Sequence, residues 1–233
     1  MTPAPLDYAR IAHKVKSMTS SAYYDFAGIA VNSLFSLERV LIGVSLAAAV
    51  GILMGVLRSA LPRTIKRNLL LRFLLEAPKF PPPIAWIPFV ILAFGIGEFS
   101  AISIVFIGAF APIFTAAYDG AESIPLVWRQ TAASLELKTP RLLYSVVFKG
   151  SLPQIFVGLR SGVSVGWMAV VAAEMISGQS GLGYSIQLNR QNLQYDLMCI
   201  DMLMIGLIGF LLFEMIVILE RIFIPWHERT ARR

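Results

Sequence analysis

An all-α integral membrane protein, with about five transmembrane helices and one short cytoplasmic helix, is the fold class this sequence predicts. Three observations predict it. Of 233 residues, 57% are hydrophobic and only 15% are charged, against roughly 25% charged in soluble domains, and mean hydropathy is +0.70. The apolar residues are gathered into five runs, more apolar surface than a soluble core needs. Lys and Arg cluster between alternate runs, as membrane orientation distributes them. The net charge of +6 would by itself suit a nucleic-acid partner, but this clustering between apolar runs sets that class aside.

Residues 1–39 form an N-terminal segment. The opening "MTPAPLDYARIAHKVK" lacks the apolar stretch of a secretory signal, so insertion is expected to use the spans themselves. The stretch "YYDFAGIAVNSLFSL" suits an interfacial helix with its tyrosines at headgroup level. Parity of the spans places this segment outside, which Arg10, Lys14 and Lys16 weakly oppose.

A transmembrane domain is expected over residues 40–226. Its first span, Val40 to Leu57, is uncharged and holds Gly43, Ala47, Gly51 and Gly55 at four-residue spacing. That puts small residues on one helix face, where another backbone can come close. The second, Pro81 to Gly97, is apolar but interrupted by prolines, Pro88 among them. It barely reaches the length needed to cross. Its missing backbone donors call for shielding by neighbouring helices or for a cavity, and a purely structural broken helix is an equal alternative. The third span, Phe99 to Ala117, is uncharged and has Pro112 near its end. The fourth, Leu152 to Ile176, opens on Pro153 and carries Gly158, Arg160, Trp167 and Glu174. The fifth, Ile200 to Leu219, has Asp201 at its start and Glu214 towards its end.

Orientation follows from the cations. Arg58, Arg63, Lys66, Arg67, Arg72 and Lys79 follow the first span, with Glu76 as the single acid. Arg129, Lys138, Arg141 and Lys149 occupy the central stretch, and a basic tail fills 227–233. The connections around Glu98 and "SGQSGLGYSIQLNRQNLQYD" are poor in Lys and Arg. Cytoplasmic loops are the positive ones, so residues 125–150 and the C-terminus face the cytosol.

The central stretch "PLVWRQTAASLELKTPRLLYSVVFKGSLP" reads as a helix of its own over 126–138. Pro125 suits a first helical turn, Ala132 and Ala133 favour helix, and Pro140 makes Thr139 a poor helical residue. Leu126, Ala133 and Leu137 approximate one apolar face. Such a helix either docks into a groove on a partner or simply connects two spans along the headgroups.

Chemistry within the chain is limited. Cys199 is alone, and His13 and His227 stand at opposite ends, so neither an intramolecular disulfide nor a metal site is readable. There is no Gly-x-x-x-x-Gly-Lys-Ser/Thr loop and no HExxH or Ser/His/Asp set, so a membrane enzyme is disfavoured and no cofactor is expected. Arg160 and Glu174 are fourteen residues apart, roughly 21 Å along a helix, too far to pair directly. Arg160 either snorkels to the cytosolic interface, the favoured reading, or meets substrate. Glu174 is better suited to ordering the glycine-rich turn that holds Gly181 and Gly183 than to binding an anion. Trp86 and Trp167 are pathway candidates, although aromatics in spans more often pack.

The central stretch resembles the cytoplasmic "EAA" loop of ABC importer permeases, which reads Glu-Ala-Ala, three residues, Gly, nine residues, then Ile-x-Leu-Pro. Gln130, Thr131 and Ala132 stand at the Glu-Ala-Ala positions and Glu136 at the Gly. Val146, Phe148 and Lys149 stand at the Ile, Leu and Pro. The runs "SLERVLIGVSLAAAVGILMGVL", "PPPIAWIPFVILAFGIGEFS" and "LPQIFVGLRSGVSVGWMAVVAAEMISGQSGLGYSI", with the tail that holds Trp226, are similar in order and spacing to the subgroup that imports nitrate, bicarbonate, taurine and other sulfonates.

That resemblance implies a type I permease bundle in the bacterial plasma membrane. It implies a second permease copy or homologue, a pair of cytoplasmic ATPases and an external substrate-binding protein, with no ATPase activity in this chain. Coupling would fall to Arg129, Gln130, Ala132, Ala133, Leu135, Glu136 and Lys138. Trp86, Pro88, Trp167 and Glu174 are the pathway or gate candidates; Gly51, Gly55, Pro153, Gly158, Arg160, Gly181 and Gly183 are expected to be structural. Three departures stand out: the further N-terminal span usual in the subgroup is expected to be missing, Glu136 replaces the loop glycine, and Lys149 replaces the loop proline. An ATP-independent channel or secondary transporter, or a permease for a vitamin precursor, are the competing readings. The first would call for internal repeats and buried ion ligands, which are not apparent here.

Overall fold

Small residues decide which helices of this chain touch. In hydrocarbon, lipid tails are as apolar as leucine, so helices gain from association by close packing rather than by escaping water. A computed structural model describes residues 8–66, 68–70, 73, 77–136 and 139–225, with side-chain surroundings for most residues from Gly28 onward. Besides short helical turns at Arg63–Lys66, Ala77–Lys79 and Thr139–Leu142, the elements are α1 (Tyr8–Ala60), a 3-10 turn (Pro83–Trp86), α2 (Ile87–Phe94), α3 (Glu98–Glu122), α4 (Leu126–Ser134), a π-helical turn (Leu143–Phe148), α5 (Lys149–Ser177), α6 (Leu182–Gln191) and α7 (Tyr195–Phe223). The result is an all-α bundle in which, among the described residues, four stretches are long and apolar enough to cross a membrane: Gly28–Ala60 of α1, α3, Leu143–Ser177 and α7.

Helix α3 is the centre. A side chain added at Gly43 of α1 would stand 2.6 Å from Val105, one at Gly51 3.2 Å from Ile113, and one at Gly55 2.8 Å from Ala117. Rising numbers match rising numbers, so α1 and α3 run in the same direction. On α5 the order reverses: Gly158 faces Ala116, Gly162 faces Ile113, and Gly166 faces Val105. Helices α3 and α5 are therefore antiparallel. Between the three helices lie Val40, Val44 and Ala47 of α1, Val105, Ala109 and Ile113 of α3, and Val163, Trp167 and Val170 of α5. By contrast, only 11% of the most apolar part of α7 is covered by the rest of the chain. Leu203, Leu207, Phe210 and Leu211 are exposed there.

Two helices running the same way need a return path, and residues 79–97 lie along it. The Lys79 ammonium sits 5.1 Å from the Phe114 ring centre. Pro83 packs at Gly108, Ile87 and Val90 bury against Ile104, Ala169 and Ala173, and Ser100 Oγ donates to the Gly95 carbonyl. This segment thus runs back beside α3 from the level of Phe114 to that of Ser100. It is broken as its prolines predict, with a 3-10 turn ahead of the eight-residue α2. Pro88 falls at the second position of α2, where the absent N–H breaks no helical bond.

Three boundaries differ from the sequence expectation. Helix α1 continues through residues 39 and 40 without a break, and Ser33, Ser36 and Arg39 are buried, so the stretch expected to lie in the interface from Gly28 on is packed into the bundle. The fourth span does not begin at Leu152: the π-helical turn leads directly into Lys149, leaving Pro153 inside α5. The central helix ends at Ser134 instead of 138. Lys138, Leu137 and the tail 226–233 lie outside the described residues.

Candidate functional site

Two ends of the bundle concentrate the groups of interest. At one end, Pro125 opens α4 by accepting from the Trp128 N–H at 3.0 Å, and the helix closes with the Leu135 N–H on the Thr131 carbonyl at 3.1 Å. Ala132 is buried at 3% exposure. Leu126, Val127, Trp128 and Leu135 are exposed by half or more, and Gln130 is exposed as well. Of the apolar face expected on Leu126, Ala133 and Leu137, Leu126 points outward, while Ala132 points inward. The side chains of Arg129 and Ala133 lie outside the described set.

Just past α4 the backbone of Glu136 has φ of +52°. This left-handed conformation favours glycine, and Glu136 adopts it without being one. The chain then passes through a helical turn at Thr139–Leu142 and the π-helical turn into α5. Val147 buries with Val56, Ala121 and Ile124, and Ile124 and Trp128 lie against Gly150. Helix α4 thus rests on the start of α5.

The opposite end holds a charged knot. Arg39 of α1 donates from Nε and Nη2 to the two oxygens of Glu98, and from Nη1 to Glu174 Oε1 at 2.7 Å and the Ser180 carbonyl at 2.8 Å. Its Nη2 also reaches Ser180 Oγ at 2.6 Å. Glu174 accepts further from Ser36 Oγ at 2.8 Å and from the Gly183 N–H at 3.0 Å. The turn is pinned twice more, by the Leu182 N–H on Ser36 Oγ and the Gly181 N–H on Asn32 Oδ1, both at 2.9 Å. Gly181 has φ of +106°, and a side chain at Gly181 or Gly183 would collide with Glu174. The knot joins α1, α3, α5 and the start of α6, and Glu174 is built into the glycine-rich turn. A second tie holds α6 on α7: Asp201 Oδ2 accepts from Ser185 Oγ at 2.9 Å and Asn189 Nδ2 at 2.7 Å.

The four pathway candidates are not brought together. Trp167 is buried, with Nε1 donating to the Ile205 carbonyl of α7 at 3.0 Å and its ring against Gly209. The Trp86 ring neighbours Phe89, and its buried N–H meets no acceptor among the described residues. Pro88 starts α2, and Glu174 belongs to the knot. Arg160 is paired: its Nη2 meets Glu220 Oε2, in the last turn of α7, at 2.9 Å. Beside it α5 presents a stripe, Gln154, Val157, Ser161, Ser164, Val165 and Met168, that this chain leaves at least partly uncovered. Two open recesses flank the stripe. One is bordered by α3 residues such as Thr115 and Asp119 together with Lys79, the other by Arg160 and Phe213.

Sequence reasoning missed Arg39 as a centre and Glu98 as its partner. One signal was available: an acid inside an apolar span, Glu174, requires a cation or donors from elsewhere in the bundle, and Arg39 flanks the first span on the side expected to lie with it. The partners are 59 and 135 residues away in sequence, so no local pattern links them.

The profile of the family described as "binding-protein-dependent transport system inner membrane component" matches residues 42–229. A putative ABC transporter permease protein of Methanocaldococcus jannaschii is 38% identical over 198 residues, covering 84% of this chain and 73% of that protein. The taurine transport system permease protein TauC of Escherichia coli is 34% identical over 82% of this chain and 69% of its own length. The nitrate import permease protein NrtB of Synechocystis is 32% identical over 87% and 72%. Among solved structures, the inward-facing MetNI methionine ABC transporter superposes with a TM-score of 0.70, covering 84% of this chain and 96% of that one, at 16% identity, so that it shares the fold.

Proposed function

Because the chain belongs to the family of binding-protein-dependent transport system inner membrane components, we propose that it is the pathway-forming subunit of an importer for a small anion or organosulfonate, driven from its α4 end by a separate ATPase. Permeases of this family are multi-pass membrane proteins and not enzymes, so hydrolysis of ATP belongs to another subunit. The substrate class follows relatives named for taurine, nitrate and bicarbonate. In this reading residues 79–97 supply a fifth crossing, the α4 end faces the cytosol, and the charged knot faces outward, where a substrate-binding protein delivers cargo. A second permease copy or homologue completes the pathway in a prokaryotic plasma membrane.

One observation carries the coupling role. Leu126, Val127, Trp128 and Leu135 project from a segment between two membrane-crossing helices that also carries Arg129, Lys138 and Arg141. Exposed apolar side chains on a short helix suit insertion into a protein groove. Closure of an ATPase pair on that helix displaces α4. Ile124, Ala132 and Trp128 pass the displacement to the start of α5, and the glycine-to-alanine contacts with α3 make both helices follow as one body. Helices packed this closely transmit strain instead of absorbing it.

The test is Leu135→Asp together with Val127→Asp. Both side chains point away from the bundle, so membrane insertion and thermal stability should stay unchanged while co-purification of the ATPase falls at least tenfold. Full retention of the ATPase by the double variant would remove the coupling role from this helix. Ala132→Arg is the control: because Ala132 is buried, that change should lower stability itself.

A further inference from the structure

The structure points to a role for the Arg160–Glu220 pair that its packing does not demand. An ion pair inside a membrane bundle loses solvation that the pairing only partly restores, and apolar residues of similar volume generally serve stability as well or better. Ionisable residues within membrane-spanning helices face the bundle interior or a water-filled cavity, and often mark substrate routes. Arg160 sits close to the level at which Gly158 meets Ala116 of α3, well inside the end of α3 at Glu122. The pair lies towards the α4 end of the bundle, Glu220 standing three residues before the end of α7 at Phe223. Here Nη2 is held by Glu220 at 2.9 Å, and Nε is buried without a partner among the described residues.

The surroundings add direction. Arg160 borders a recess with Val157, Ser161, Ser164, Val165 and Phe213, and Ser161 is exposed on the same stripe. Across the stripe, Lys79 and Asp119 border the neighbouring recess with Thr115, Gln154 and Ser161. A lipid-facing helix in this chain looks different: α7 exposes Met202, Leu203, Leu207, Phe210 and Leu211. A helix face with Gln154, Ser161, a guanidinium and hydroxyls at its margins calls for water or protein over it, because hydrocarbon offers no hydrogen bonds.

Resting on the proposed import function, we infer that Arg160 is an anion-contacting, selectivity-setting residue in the wall of the pathway, with Glu220 as its displaceable counter-ion. In the empty pathway Glu220 holds the guanidinium in place. A sulfonate, nitrate or bicarbonate entering the recess offers the same planar or clustered oxygens that a carboxylate offers, and guanidinium geometry matches such acceptors in pairs. The anion competes with Glu220 for Arg160 and is released towards the cytosol when Glu220 returns. Binding stays weak enough for passage because an internal carboxylate is always at hand.

The test reads local charge without needing the natural cargo. In a Cys199→Ser background, Ser161→Cys is reacted in inside-out membrane vesicles, with the ATPase bound, with two impermeant thiosulfonate reagents. One carries a sulfonate and the other a trimethylammonium group, and each rate is normalised to its reaction with free mercaptoethanol. The sulfonate reagent should be favoured; Glu220→Gln should raise that preference about fivefold, and Arg160→Gln should abolish or reverse it, as expected for one full charge within about 7 Å in a wet groove. Arg160→Lys should retain the preference and thereby separates loss of charge from misfolding. A preference unaffected by Arg160→Gln overturns the inference while leaving the pathway intact. A thiol at 161 that reacts with neither reagent, in either nucleotide state, overturns the pathway reading on which the inference rests.

Discussion

The two ends of this bundle are built by opposite rules. At the knot, one guanidinium and two carboxylates are bonded to one another, to serine hydroxyls, to the Ser180 carbonyl and to the Gly183 N–H, and Arg39 and Glu174 are almost wholly buried. At the α4 end, large apolar side chains face outward and the chain enters α5 through a π-helical turn. π-Helical turns are rare and gather at functional positions. The contrast teaches where movement is permitted. Saturated hydrogen bonding fixes the relation of α1, α3, α5 and α6 at one end, while loose, outward-facing residues at the other leave a lever free to engage and shift.

Three substitutions would break or sharpen this contrast. The largest effect is expected from Glu174→Ala, which leaves Arg39 buried between α1 and the turn with one of its two carboxylate partners gone. Breaking one side of a buried pair costs about 3–5 kcal/mol. A fall in the unfolding midpoint in detergent, with lower yield, would report it; an unchanged midpoint would mean that the knot is ornamental. Next comes Gly181→Ala, which combines a side chain at φ of +106° with a collision against Glu174. Its expected cost is about 2–3 kcal/mol, read by the same midpoint and by faster proteolysis at the 178–181 turn. The smallest effect has the opposite sign. Glu136→Gly relieves a left-handed residue and should stabilise the α4 end by about 1 kcal/mol, visible as slower amide exchange from Ser134 to Glu136. A destabilising result there would show that the glutamate side chain holds the turn.

Much of this architecture was legible in the chain, and the losses have a common cause. The uncharged runs, the proline-broken segment and the four-residue ladder of Gly43, Ala47, Gly51 and Gly55 point to helices and to their close contacts, because small residues in a membrane helix have few other uses. The inward face of α4 was not legible. Leu126, Ala132 and Leu135 are all apolar, and apolar character marks a core face, a lipid face and a docking face alike. The knot escaped for a different reason: Arg39, Glu98 and Glu174 each look like an ordinary charge at the edge of a span, and only the fold shows that the edges coincide. The extent of α1 was lost because Arg39 reads as a boundary until its counter-charges are known.

The parallel run of α1 and α3 has a consequence for how such a chain is made. Partners that point the same way cannot be laid down as a simple hairpin, so the link between them has to travel back the full depth first. Among the described residues the helical pieces of that link are short, the eight residues of α2 being the longest, too little continuous helix to partition alone. It is expected to leave the insertion machinery only together with α3, folded against Ile104 and Gly108 about the Gly95–Gly97 corner. Nascent chains halted before Phe114 should therefore stay lodged at the translocation site, and those extended beyond Glu122 should move into the bilayer as a two-helix unit.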